Sequence, residues 1–220
     1  MFPDLDKIAL CGMYEPLADN RLPSIFEIIK KVNPEMKIVI FTNGSLLNKW
    51  DDLILQNNVV SIIFSVHGYS ANVYNEVMVG LDRDRTYNNI IEFSKKRSSS
   101  KPNTTVSFVR TNNNISELDE FILFWKQYVD SVASYELMNW NDVIEPELRD
   151  KPKTTTRSCP MYENPLVIDA YGNVVRCCYN FRFSYGNLRQ DGINKWMKKS
   201  RVSETYPDID CLHCDGWRFY

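Results

Sequence analysis

Strand-like runs alternate with segments of helical period five times over the first 140 residues, and this alternation restricts the fold more than any other feature. KIALC (7–11), KIVIFTNG (37–44), VVSIIFSVHG (59–68), TTVSFVRT (104–111) and SVASYELMNW (131–140) read as short strands, with KIVIFTNG a β-branched run closed by Asn-Gly. Between them, PSIFEIIKKV (23–32), LLNKWDDLILQ (46–56), ANVYNEVM (71–78), RTYNNIIEFSKKR (85–97) and SELDEFILFWKQYV (116–129) carry apolar residues at helical spacing. Lys30 and Lys31 suit a helix C-terminus. Ser116 and Asp119 form a Ser-x-x-Asp start close to a capping box. Repeated strand–helix units predict a parallel sheet. The strands read as apolar on both faces, as a sheet covered on both sides requires. A doubly wound sheet and an α/β barrel both fit, and both place function at the C-terminal ends of the strands.

The pattern changes after residue 140. Residues 141–158 are charged, Pro-containing and non-periodic, which reads as a linker. PLVIDAYGNVVRCC (165–178) predicts two short strands joined at Tyr171-Gly172-Asn173, and DGINKWMKKS (191–200) predicts a helix. Aromatics make up 13% and hydrophobic residues 44% of the chain, enough for a packed core. The net charge of −2 gives nucleic-acid binding no support. The first residues, MFPDLDKIAL, do not read as a signal peptide, and no apolar run has the length of a membrane span. The expectation is a cytoplasmic protein with neither nucleic acid nor membrane among its partners.

Five of the six cysteines lie from Cys159 onward. The chain is long and shows no secretory signal, so a metal site fits this clustering better than a disulfide scaffold. Cys211 and Cys214, in CLHC, have the spacing with which two thiolates from one turn grip one ion. Cys159 and Cys177 would complete a four-thiolate site and staple a segment too small to hold itself together. Cys178 neighbours Cys177 on the opposite side of the strand, and either can be the ligand. His213 can replace a thiolate, but four cysteines suffice. Four thiolates accept either zinc or an iron–sulfur cluster. The terminal position argues against a thioredoxin-like redox pair, which opens a helix after a strand.

Four of the strand ends are polar or glycine-bearing: CGMYEPLAD (11–19), TNGS (42–45), SVHG (65–68) and RTNNN (110–114). Gly12 permits close backbone approach, and Glu15-Pro16 fixes a turn that presents a carboxylate. Each alone is ordinary loop punctuation, but four in succession point to a small-molecule pocket. His67 ends a buried strand, where a hydrogen-bonded structural histidine is the ordinary case.

In combination these segments resemble the radical S-adenosylmethionine (AdoMet) enzymes with a C-terminal SPASM-type domain, over almost the whole chain. GMYEPL (12–17) looks like that family's Gly-Gly-Glu-Pro motif, which in relatives holds the AdoMet amino group. TNG (42–44) and SVHG (65–68) look like its third- and fourth-strand signatures. Cys159, Gly172, Cys177, GNL (186–188), INKW (193–196) and the CxxC at 211 follow the SPASM pattern. The resemblance implies an α/β partial (β/α) barrel at 1–140 with five of six parallel strands. It implies a linker at 141–158 and a small α+β SPASM-like iron–sulfur domain at 159–220. It implies AdoMet at Gly12, Tyr14, Glu15, Pro16, Thr42, Asn43, Ser65 and His67, and an auxiliary 4Fe-4S cluster at Cys159, Cys177, Cys211 and Cys214. In complete relatives, AdoMet is cleaved to a 5′-deoxyadenosyl radical that abstracts hydrogen from a peptide or small-molecule substrate.

The departures also matter. The sequence lacks the family's CxxxCxxC, which belongs after the first barrel strand, so KIALC would be the second strand. Tyr14 stands at the second glycine of the glycine pair, and His67 where an acid is common. The expectation is an N-terminally truncated form that cannot cleave AdoMet by itself. The alternatives are one subunit of a two-chain enzyme, with a companion chain supplying the missing unit, and a non-catalytic binding module stapled by zinc or iron–sulfur.

Overall fold

The computed structural model describes residues 5–97, 101–137, 157–158, 166–178, 180–192, 195 and 218–219. The chain divides into two compact units, Met1–Glu136 and Leu137–Tyr220.

The first unit runs β1 (Lys7–Leu10), α1 (Leu22–Val32), β2 (Lys37–Thr42), α2 (Leu47–Leu55), β3 (Val59–Ser65), α3 (Ala71–Val77), α4 (Arg83–Lys96), β4 (Asn103–Arg110), α5 (Leu118–Trp125) and β5 (Ser131–Glu136). All neighbouring strands pair in parallel, in the order β1-β2-β3-β4-β5. The order never reverses, so the sheet lacks the switch point of a doubly wound fold. The described strands form an open five-stranded parallel sheet.

Local chemistry sets the helix limits. Pro23 sits in the first turn of α1, with Lys30 and Lys31 in its last. Ser70 and Asp82 cap α3 and α4 by accepting from the Val73 and Arg85 N–H groups. The expected cap at Ser116 does not form. Residues 115–117 instead make a 3-10 turn, and α5 begins at Leu118 without a side-chain cap. α5 also ends at Trp125, four residues before the expected limit.

The core lies on one face of this sheet. Ile38 and Ile40 of β2, Ile62 and Phe64 of β3, and Val106 and Phe108 of β4 are buried. They belong to a single cluster with Phe26 of α1, Leu47 and Ile54 of α2, Tyr74 of α3, Tyr87, Ile90 and Phe93 of α4, and Phe121 and Trp125 of α5. Tyr87 and Trp125 have ring centroids 4.5 Å apart, and the Arg83 guanidinium lies 3.8 Å from the Tyr87 ring centroid.

The expectation of a sheet apolar on both faces is corrected here. The alternate residues, Val39 and Phe41, Ser61, Ile63 and Ser65, Thr105 and Ser107, and Ser131 and Tyr135, occupy the other face. That face is rich in serine and threonine, and Phe41 and Tyr135 are exposed on it. Val39 and Ile63 make the sequence runs continuous, which hides an alternation that the hydroxyl residues mark.

In the second unit, β6 (Arg157–Ser158) pairs antiparallel with β10 (Arg218–Phe219). β7 (Val167–Ile168), β8 (Asn173–Cys177) and β9 (Asn180–Asn187) form an antiparallel sheet in that order, followed by α6 (Leu188–Asp191). The β7–β8 turn forms where Tyr171-Gly172-Asn173 predicted it. Asp169 organises it by accepting from the Tyr171 and Asn173 N–H groups at 2.8 and 2.9 Å and from Asn173 Nδ2 at 2.8 Å. β9 was not foreseen. Most of the helix expected at 191–200 lies outside the described residues. No helix among the described residues is long and apolar enough to cross a membrane.

Candidate functional site

Because all five strands of the first unit run parallel, their C-terminal ends share one edge, and the polar segments found in the sequence lie along it. Two sets of hydrogen bonds, most of them partly buried, fix the loops there.

The first set centres on Glu15, in the β1–α1 loop. Its Oε1 accepts from the Thr42 hydroxyl at 2.6 Å and the Leu17 N–H at 2.9 Å, and its Oε2 accepts from the Asn43 N–H at 2.8 Å. Glu15 thereby caps the 3-10 turn at Pro16–Ala18 and ties the β1 loop to the end of β2. Thr42 Oγ1 accepts from the Gly44 N–H, Asn43 Oδ1 accepts from the Ser45 N–H, and Asn89 Nδ2 donates to the carbonyls of Gly44 and Ser45. Trp50 Nε1 donates to the Leu17 carbonyl at 2.7 Å. Side chains thus satisfy backbone groups of Leu17, Asn43, Gly44 and Ser45. Gly12 has a φ of 132°, which L side chains rarely adopt, and Met13 and Tyr14 after it are exposed.

The second set joins the loops after β3 and β4. Asn114 is fully buried. Its Nδ2 donates to the carbonyls of His67 and Val109, both at 2.9 Å, and its Oδ1 accepts from the Thr111 N–H. Glu117 Oε2 accepts from the Tyr69 and Ser70 N–H groups at 2.8 and 3.1 Å. The Tyr87 hydroxyl donates to the Gly68 carbonyl at 2.7 Å, and burial raises its pKa. A Cβ on Gly68 would lie 2.6 Å from backbone atoms of Tyr74, so no other residue fits without moving α3.

The structure thus brings Glu15, Pro16, Thr42 and Asn43 into one bonded group, and sets His67 in a separate group with Asn114. Ser65 lies opposite Ser107 on the face away from the buried cluster. Gly12 and Tyr14 lie in the β1 loop. Asn114, Glu117, Asn89 and Tyr87 do as much to hold the edge as the residues named from sequence. Asn114 lies in the polar segment RTNNN; nothing in the sequence marks Glu117, Asn89 or Tyr87, because their partners are 19 to 48 positions away.

Of the four expected metal ligands, Cys177 ends β8 and is buried, and Cys178 follows it, partly exposed. Cys159, Cys211 and Cys214, with His213, lie outside the described residues. Among the described residues no three His, Cys, Asp or Glu side chains cluster as a metal would require.

No protein-family model matches the chain, and no curated protein matches it in sequence. Solved structures do match. One is anSMEcpe with bound AdoMet and the Cp18Cys peptide, at 14% identity and a TM-score of 0.64, covering 95% of this chain and 73% of that one. Another is BtrN in complex with AdoMet and 2-DOIA, at 16% identity and a TM-score of 0.53, covering 90% of this chain and 64% of that one. The chain therefore spans just under two thirds of BtrN and about three quarters of anSMEcpe. At these identities the likeness is one of fold: the chain has the parallel α/β architecture of these two AdoMet-bound structures.

Proposed function

We propose that this chain is an AdoMet-binding protein of the radical SAM type with a SPASM-like C-terminal domain, acting on a peptide or small molecule. One observation carries the reading. The loops along the C-terminal edge are held in advance by Glu15 on one side and by Asn114 and Glu117 on the other. Preorganised backbone at a strand edge is what a small polar ligand needs, since no ordering cost remains to be met on binding. The likeness in fold to two AdoMet complexes supports the same ligand.

In this reading the Gly12–Pro16 loop receives the amino-acid end of AdoMet. Glu15 already accepts three hydrogen bonds, so its first task is to hold that loop against β2. Thr42 and Asn43 complete the same wall, and Ser65 and His67 line the neighbouring strand end. AdoMet, when reductively cleaved in proteins of this type, supplies a carbon radical that abstracts hydrogen. That reduction needs the CxxxCxxC cluster, which the sequence lacks. We assign it to a further strand–helix unit beside β1, on the same polypeptide or on a companion chain. In the second unit, Cys177 with Cys159, Cys211 and Cys214 would hold an auxiliary 4Fe-4S cluster.

Calorimetry with AdoMet and anaerobic reconstitution with iron and sulfide test the two halves separately. The expected results are saturable AdoMet binding, a brown protein with bound iron and sulfide, and no 5′-deoxyadenosine under reductant. Absence of AdoMet binding, both alone and with any co-purifying chain, would refute the AdoMet assignment. A colourless protein carrying one zinc would replace the cluster with a structural metal.

A further inference from the structure

The two sets of bonds that fix the strand-end loops meet on one helix. Thr86, Asn89, Ile90 and Phe93 recur at three- and four-residue spacing and so share one face of α4. Thr86, Ile90 and Phe93 are buried, and Asn89 beside them is partly exposed. This face lies behind the turn after β2: a Cβ on Gly44 would lie 3.0 Å from Ile90 Cδ1 and 3.6 Å from Thr86 Cγ2. Side chains of the same helix donate to loop carbonyls. Asn89 Nδ2 donates to Gly44 at 3.2 Å and to Ser45 at 3.0 Å. The Tyr87 hydroxyl donates to Gly68 at 2.7 Å, and Arg83 Nε donates to Tyr69 at 3.0 Å. α4 thus reaches the turn after β2 and the loop after β3 alike.

The bonds of residues 43–45 divide by origin. Their N–H groups are met from the β1 loop and from the turn itself: Asn43 by Glu15, Gly44 by the Thr42 hydroxyl, and Ser45 by the Asn43 side chain. Their carbonyls are met from behind. The Gly44 carbonyl accepts from the Leu47 N–H and from Asn89, and the Ser45 carbonyl accepts from Asn89. An amide nitrogen carries two protons, and two carbonyl partners use both. One side chain on α4 therefore fixes two successive peptide planes of the turn. The N–H bonds set the shape of the turn, and Asn89 sets where it stands against the helix.

We infer that Asn89 is a positioning residue for the ligand: through Asn89 at one loop and Tyr87 at the other, α4 braces the turn after β2 against the loop after β3, and so sets the fit of AdoMet between them. This rests on the AdoMet reading above for the ligand's identity, but not for the brace. Asn89 acts through residues 43–45 and needs no contact with AdoMet itself.

The test uses the full chain. Asn89→Asp keeps the side-chain shape but sets an anion against two carbonyl oxygens in place of a two-proton donor. By calorimetry near pH 8, it should weaken AdoMet binding by about tenfold or more relative to the parent. At about pH 5 it should return to within about threefold of the parent measured at the same pH. The two carbonyls raise the pKa of the introduced carboxyl, and its protonated form donates again. Asn89→Ala keeps the helix, since alanine is the better helix former, and should bind AdoMet about threefold or more weakly at both pH values. In both variants the amides of residues 43–47 should exchange with deuterium about tenfold faster than in the parent near pH 8. Parent-like affinity of the aspartate variant near pH 8, a loss that acid does not lessen, or unchanged exchange at 43–47 would each overturn the inference. Should the aspartate variant not fold, the affinity and exchange of the alanine variant decide it. If the parent itself gives no heat with AdoMet, the ligand assignment falls, and exchange at 43–47 still decides whether Asn89 holds the turn.

Discussion

The two units satisfy the same physical demands by different means. In the first, five parallel strands and five helices enclose one continuous apolar cluster on one face of the sheet. Packing carries that unit, and buried polar bonds then fix its loops. In the second, the buried side chains among the described residues are Val174, Val175 and Cys177. Its order is carried by the network of Asp169, Asn173 and Asn187, which bond one another and the backbone of the turn between them. The strand-end loops of the first unit are thus fixed by bonds that cross between strands far apart in sequence, and the described turn of the second by bonds made within it.

The largest effect expected from breaking this contrast is in the core of the first unit. Phe64→Ala should cost about 3–5 kcal/mol in urea denaturation, because a fully buried aromatic leaves a cavity its neighbours cannot fill. The same melts should show the second unit's signals unchanged in their own transition. A loss shared by both would mean the two units unfold as one.

Glu15→Ala comes next. It leaves the Thr42 hydroxyl and two N–H groups without their acceptor, at about 2–4 kcal/mol. Glu15→Gln keeps the amide oxygen and should cost about half of that. If the alanine variant melts like the parent, the loops of the edge are not held by this carboxylate.

In the second unit, Gly192→Ala probes backbone rather than packing. A Cβ there meets nothing within 4 Å, but the φ of 71° strains any other residue, so about 1–2 kcal/mol should be lost from that unit alone.

Acidification sharpens the contrast by a smaller amount. The folded state binds the His67 proton more weakly than the unfolded chain does, so stability is greatest above the unfolded histidine pKa of about 6.5 and falls as the pH drops below it. Urea midpoints of the first unit between pH 7 and 5 should fall less steeply in His67→Asn than in the parent. The smallest effect is at the surface. Lys95→Ala removes an exposed pair with Glu92 and should leave the urea midpoint of the parent unchanged.

Much of this was legible in the chain itself. Period-two and period-3.6 patterns placed the five parallel strands within a few residues, and the polar strand ends marked the edge where the loops gather. Glu15 was visible because proline follows it and glycine precedes it by three residues. The strand faces were misread because Val39 and Ile63 are as apolar as the core residues beside them. Ser116 was expected to cap α5, yet Asn114 and Glu117 organise that turn instead. β9 escaped because NFRFSYGN carries both an arginine and a glycine.

What the sequence by itself determined is the order and parallel sense of the strands, since short-range periodicity encodes them. Which face the helices cover, and which groups Glu15, His67, Asn114 and Glu117 bind, was decided only by the tertiary structure. The bonds among them that tie one loop to another join residues 27 to 48 positions apart, and composition holds no record of a partner that distant. His67 is the clearest case, because its Nδ1 lies 3.2 Å from the Val109 nitrogen on the next strand. A histidine at a strand end is ambiguous until the neighbouring strand runs past it and presents an N–H that must be met.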